Sequence, residues 1–181
     1  QWGKYTSTLI NDYESVLSSV FSKESNDLRC FKDLCDQGNK PDGYETIVEK
    51  IKKIWTEVLP QRELIIEKFE AKAKYKEELY KAGSMSDGER VCLYLISQCL
   101  ITPENHIIVI DEPEIHLHTS IMKKLWDEIE RYCPDKTFVY ITHDLNFATS
   151  RKTATKIWVQ SYDGHDNWKI SQIEDNDDIP E

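Results

Sequence analysis

Asp111 and Glu112 stand at the end of four consecutive apolar residues, Ile107 to Ile110, and Pro113 follows them. Acids at the carboxyl end of a buried strand occupy the place where open α/β sheets bind ligands. Mg2+ is a hard ion that keeps several of its waters, so one or two carboxylates suffice to hold it. The second acid can act as general base or orient a water for attack. His143 closes another β-branched and aromatic stretch, TFVYIT at Thr137 to Thr142. If the two stretches are neighbouring strands, His143 and Glu112 share one rim of the sheet. The plainer alternatives are an acidic pair that caps a turn and a structural histidine.

A third group precedes these. Ser86, Asp87, Gly88 and Glu89 stand directly before an almost wholly apolar run. Ser followed three residues later by Glu is a capping box, in which the two side chains satisfy free amides at a helix start. The same helix start favours an anion, because unpaired amides and the helix dipole both attract phosphate. The two roles are compatible.

The elements that must position these residues follow from periodicity. Four apolar residues with a helix on each side suit a parallel strand covered on both faces. The run holding Val91, Leu93, Ile96 and Leu100 is a helix buried on most sides, and Ile121, Met122, Leu125, Ile129 and Tyr132 mark the inner face of a helix from about Ser120 to Tyr132. Strand, helix, strand and helix after Ile107 make an α/β unit with a parallel sheet. Lys156 to Gln160 and Trp168 to Ile173 pair as a hairpin around Asp163 and Gly164.

Upstream, apolar positions from Thr6 to Phe21 recur at helical spacing, a short helix is expected over Asp27 to Cys35, and another near Glu45 to Val58. Phe69, Ala71, Ala73 and Tyr75 alternate with Lys and Glu, a period of two that predicts a strand antiparallel to Glu63–Ile66 with those four residues facing inward. The chain therefore divides into a helical arm (1–60), a small β insert (61–82), an α/β lobe (83–173) and an acidic tail (174–181).

MSDGER at Met85 to Arg90, IIVIDEPEIHLH at Ile107 to His118 and YITHDL at Tyr140 to Leu145 together resemble the signature, Walker B with D-loop, and switch-histidine motifs of ABC-type ATPases. The branch they resemble is the OLD-like AAA ATPases, whose members often precede a TOPRIM-type nuclease domain and take part in phage defence. The resemblance is strong over Gly83 to Ile157 and loose before it. It implies a partial P-loop NTPase sheet flanked by helices and a site for Mg2+ and ATP. Asp111 would be the Mg2+-associated acid, Glu112 the catalytic carboxylate and His143 the γ-phosphate sensor. Ser86, Asp87, Gly88 and Glu89 would meet ATP bound to the opposing copy of a homodimer. Glu114, His116 and His118 would lie on the dimer-facing D-loop.

Two departures stand out. Asp87 occupies the place where many such signatures have a second glycine. The P-loop is missing: GNKPDG and GSMSDG have its glycine spacing, but Tyr44-Glu45 and Glu89-Arg90 follow instead of Lys and a hydroxyl. The chain is thus expected to be the C-terminal lobe of a larger ATPase, inactive without its N-terminal lobe; the start at Gln1 and the acidic end at Glu181 fit a cut piece. Two other readings remain: an interaction or dimerisation module without hydrolysis, and a metal-dependent hydrolase built from Asp111, Glu112, Glu114, His116 and His118.

Bulk properties narrow the partners. The net charge of −10 argues against an extended nucleic-acid surface. No apolar run approaches a membrane span. Five cysteines without a C-x-x-C pair suggest reduced thiols in a cytoplasmic setting, and Cys92 and Cys99, seven residues apart, share a helix face suited to packing.

Overall fold

Helices begin and end where other groups can satisfy their unpaired amides and carbonyls. In the computed structural model, which describes residues 3–39, 41–115, 117–165 and 167–173, α1 spans Gly3–Asp36 and α2 spans Ile47–Val58. The Gly38 N–H donates to Cys35 C=O at 3.0 Å and the Asn39 N–H to Leu34 C=O at 2.9 Å, with Gly38 at φ +79°. This C-terminal cap needs a left-handed residue, which glycine supplies cheaply. α2 opens with a capping box of Thr46 and Glu49. Two acids of α1 complete it, Asp27 accepting from the Ile47 N–H at 2.9 Å and Glu24 from the Val48 N–H at 3.0 Å.

The two helices expected over Thr6 to Cys35 are therefore one. The polar stretch SKESND, which runs from the end of the first expected helix into the start of the second, contains neither Gly nor Pro, and the Ser25 hydroxyl donates back to Phe21 C=O at 3.0 Å. Most of this stretch faces water without interrupting the helix.

After α2 come β1 (Glu63–Glu67), β2 (Glu70–Tyr75) and β3 (Glu78–Lys81), an antiparallel meander in the order β1-β2-β3. The alternation in β2 holds at Ala71 and Ala73, which are buried, but Phe69 and Tyr75 are exposed. Phe69 belongs to the turn. Lys68 and Phe69 have φ +51° and +61°, the mirror-image turn whose twist suits a two-residue hairpin. A short 3-10 turn, Ala82–Ser84, leads to α3 (Asp87–Ile101). Then follow β4 (Ile107–Asp111), α4 (Thr119–Tyr132), β5 (Thr137–Ile141), α5 (Leu145–Ser150), and the antiparallel hairpin of β6 (Lys156–Tyr162) and β7 (Trp168–Ile173).

The chain divides into two units, one of residues 1–109 with 116–139, the other of 110–115 with 140–181. In the first, α1, α2, α3, α4 and the meander enclose a core with Val20, Ile51, Trp55, Leu93, Ile96, Leu125, Trp126 and Ile129 fully buried. Trp126 is a core residue. In the second unit, Phe147 of α5 is buried with its ring edge-on to Tyr140 at 5.1 Å. Tyr162 and Trp168 stack at 4.4 Å across the β6–β7 hairpin.

β4 and β5 form a two-stranded sheet. The Thr137 N–H donates to His106 C=O and the Glu112 N–H to Ile141 C=O, so partners ascend together and the strands run parallel. Cover on both faces is not observed: Ile107 is 68% and Val109 61% exposed, and Val139 and Ile141 are also exposed. An apolar run sets what a strand can bury, whereas burial requires another element laid across it.

Candidate functional site

α3 begins at a dense polar network. Ser86 is the N-cap, exposed to solvent, and its Oγ accepts from the Glu89 N–H at 3.3 Å. The Ser86 hydroxyl donates to Glu89 Oε2 at 2.7 Å, and the Ser86 N–H donates to the same oxygen at 2.8 Å. The other oxygen, Oε1, accepts from Arg62 Nε at 2.8 Å and from the Tyr80 hydroxyl at 2.6 Å. Glu89 is only 7% exposed. Burial pushes its carboxyl up, but hydrogen bonds from Tyr80, Ser86 and Arg62 outweigh it and hold the group below its ordinary value. Burial and the bond to Glu89 push the Tyr80 phenol up to about 12. Asp87 is exposed and paired with Arg90, so its negative charge carries its own counter-ion. Of the four residues expected to face a nucleotide, Ser86 and Asp87 reach solvent, Gly88 is half-buried and Glu89 turns inward.

The second unit collects the residues at the strand ends. Glu112 has φ +51°, a left-handed conformation uncommon for a side chain with a β-carbon. Its N–H donates to Ile141 C=O at 2.7 Å and its C=O accepts from the Ile115 N–H at 3.0 Å. The backbone thus turns sharply at Glu112 while tied to the end of β5. Asp111 and His143 are exposed and Glu112 half-buried. Among the described residues, the side chains of Asp111, Glu112 and His143 have no hydrogen-bond or ion-pair partner. Their donor atoms are open to a ligand. Glu114 differs, since both of its oxygens lie 2.9 Å from the Thr142 hydroxyl, which in turn accepts from the Asp144 N–H at 2.9 Å. Asp144 caps α5 through the Asn146 and Phe147 amides.

Residues 15–149 match the family model described as "AAA domain, putative AbiEii toxin, Type IV TA system", which is more than half of the chain. The chain belongs to this AAA-domain family.

Similarity to other proteins extends the assignment of fold. Over 66 residues, 35% of this chain, it is 36% identical to ABC transporter A family member 4 of Dictyostelium discoideum, and it spans only 4% of that relative's length. A structure described as "Structural biochemistry of ATP-driven dimerization and DNA stimulated activation of SMC ATPases" superposes with TM-score 0.56 at 21% identity, covering 70% of this chain and 83% of that one. The Smc head domain with an extended coiled coil from Pyrococcus furiosus gives TM-score 0.56 at 18% identity, covering 92% of this chain and 54% of that one. The AAA domain therefore has the mixed α/β architecture of ATPase heads, resembling the P-loop NTPase fold.

Among the described residues, no three His, Cys, Asp or Glu side chains gather as a metal cage. Within the set Asp111, Glu112, Glu114, His116 and His118, Glu114 is engaged by Thr142, and the His118 ring caps α4 through the Ser120 N–H at 3.3 Å. His116 lies outside the described residues. Among the described residues of this set, Asp111 is an exposed carboxylate at the end of β4, with Glu112 beside it in sequence. That donor set fits Mg2+ retaining waters. It lacks the Gly-x4-Gly-Lys loop that would hold nucleotide phosphates.

Sequence reasoning missed Arg62, Tyr80 and Thr142. Arg62 and Tyr80 are distant in sequence from Glu89, and no spacing rule connects them. Thr142 ends the β-branched stretch before His143, and no local signal links it to Glu114.

Proposed function

We propose that this chain is the C-terminal lobe of an ATP-hydrolysing ABC-type ATPase, with Glu112 as the group that orients or deprotonates the attacking water. The observation that carries the reading is the left-handed turn at Glu112. A non-glycine residue held there costs free energy, and such outliers concentrate where function fixes the geometry. Here the turn lies at a strand end and follows Asp111. Asp111 would hold Mg2+ through its waters, and the ion would neutralise phosphate charge. His143 would donate to the γ-phosphate from the end of β5.

A P-loop-bearing lobe is required to complete the site, because this chain supplies no phosphate cradle. Ser86 and Gly88 would meet the nucleotide of a second copy, with Asp87 screened by Arg90. The SMC ATPases named above, described as dimerising under ATP, support a homodimer of this kind, with Glu114, His116 and His118 on the loop near the interface. The family description, with its toxin and TA system, supports a defence setting. Within it we favour an OLD-like ATPase in the cytoplasm, followed by a TOPRIM-like nuclease domain; the encoded sequence on both sides of residues 1–181 tests that assignment.

The decisive experiment is Glu112→Gln in the complete protein. ATP binding persists and turnover is abolished if the reading holds. Undiminished hydrolysis removes Glu112 from the catalytic role. Isothermal titration of this chain alone with Mg2+-ATP is the companion test, with no turnover expected.

A further inference from the structure

We propose that Arg62 and Tyr80 are positioning residues for the Ser86 hydroxyl, acting through Glu89. The inference rests on the reading that Ser86 meets a nucleotide held by a second copy. A hydroxyl has one proton, and that of Ser86 is given to Glu89 Oε2 at 2.7 Å while its lone pair accepts from the Glu89 N–H. To bond a phosphate oxygen, the hydroxyl must redirect that proton outward. How firmly Glu89 is held decides how readily this happens and where the hydroxyl then points.

The protein contains its own control. The box at α2 uses only Thr46 and Glu49, and Glu49 is exposed. Asp27 and Glu24 of α1 accept from the next two amides of this helix, but among the described residues no donor outside the box reaches Glu49. At α3 the equivalent acid is buried and takes two more donors, Arg62 from the segment before β1 and Tyr80 from β3. Arg62 is itself fixed, its guanidinium 3.7 Å from the Tyr75 ring centroid and its carbonyl accepting from the Trp55 indole at 2.8 Å. One of its nitrogens, Nη1, is buried with no hydrogen-bond partner. Leaving a buried donor unsatisfied is unfavourable. Capping alone does not require this arrangement; holding one carboxylate in one orientation accounts for it. The meander is thereby wired to the single exposed hydroxyl at the helix start.

The test is a double-mutant cycle on ATP-dependent self-association of the complete protein, followed by analytical ultracentrifugation with Mg2+-ATP. Tyr80→Phe keeps the ring and removes one donor to a charged group, and weakens association about tenfold. Ser86→Ala weakens it as well. Tyr80→Phe combined with Ser86→Ala is no weaker than Ser86→Ala alone, because Tyr80 acts through the hydroxyl already removed. Additive losses overturn the proposal, since a merely structural tyrosine would act independently of Ser86. An Arg62→Lys variant run through the same cycle guards against a folding defect peculiar to Tyr80, and thermal melting monitors both. If Ser86→Ala leaves association unchanged, the trans-nucleotide reading fails; if it weakens association and the cycle is additive, only the positioning role fails.

Discussion

The Thr142 hydroxyl lies 2.9 Å from both carboxylate oxygens of Glu114, joining the loop after β4 to the loop after β5. Because the same oxygen also accepts from the Asp144 N–H, one side chain serves an acid, a turn and the start of α5. Thr142→Val keeps the shape and leaves the Asp144 amide and Glu114 without this partner. We expect a loss of about 1–2 kcal/mol in stability, read by thermal melting, with Thr142→Ser restoring most of it.

The left-handed backbone of Glu112 makes a second, separable prediction. Glu112→Gly relieves the steric cost of a β-carbon at φ +51°, whereas Glu112→Ala retains it. The glycine variant should exceed the alanine variant in stability by about 1 kcal/mol, although glycine normally loses to alanine. Both should abolish turnover in the complete protein. Denaturant melts of the two variants decide the first point, and an alanine variant of equal or greater stability would show the turn to be unstrained.

Glu89 predicts a pH dependence whose sign follows from its hydrogen bonds. Its carboxyl is held below the ordinary value of 4.5 in the folded chain. The stabilisation is present above that ordinary value and is lost as pH falls through the lower, folded one. Glu89→Gln should melt lower near neutrality and lose less stability between about pH 5 and pH 3 than the parent. Parallel melting curves across that range would exclude Glu89 as a contributor.

Thiol chemistry should sort the cysteines by burial. Burial pushes the Cys92 and Cys99 thiols up to about 12, and Cys133 is also buried and raised. The thiolate is the reactive form. A chromogenic disulfide reagent at pH 8 should therefore modify Cys30 first and Cys35 next, and reach the other three only after denaturant is added. Modification of three or more thiols in the native protein would contradict this packing.

Much of the fold was legible because its signals are local. Ser86 and Glu89 announced a capping box by spacing alone, and Ala71 and Ala73 announced a strand by alternation. What the sequence concealed depends on distant partners. Two helices are expected over Thr6 to Cys35 where one forms, and Glu24 and Asp27 within it serve amides of α2 about twenty residues away, partners that no local signal reveals. Phe69 fitted the inward period, yet a two-residue turn claimed it. Ile107 and Val109 looked doubly buried because apolar content records a strand's capacity for burial and carries no information about whether anything covers it. For the site, the strand-end acids and His143 could be picked out as candidates from sequence, while the hydroxyl linking Glu114 to Asp144 required the loops to meet.

The contacts of Asp27 and Glu24 with the first turn of α2 also have a mechanical meaning. At 1.5 Å per residue, the 34 residues of α1 form a rod about 50 Å long. Two carboxylates pin this rod to two consecutive amides, so that sliding α1 by even one residue breaks both bonds at once. Grease between helices tolerates small slips, but a pinned joint does not. At the start of α2, these two bonds therefore oppose translation of α1 along its own axis.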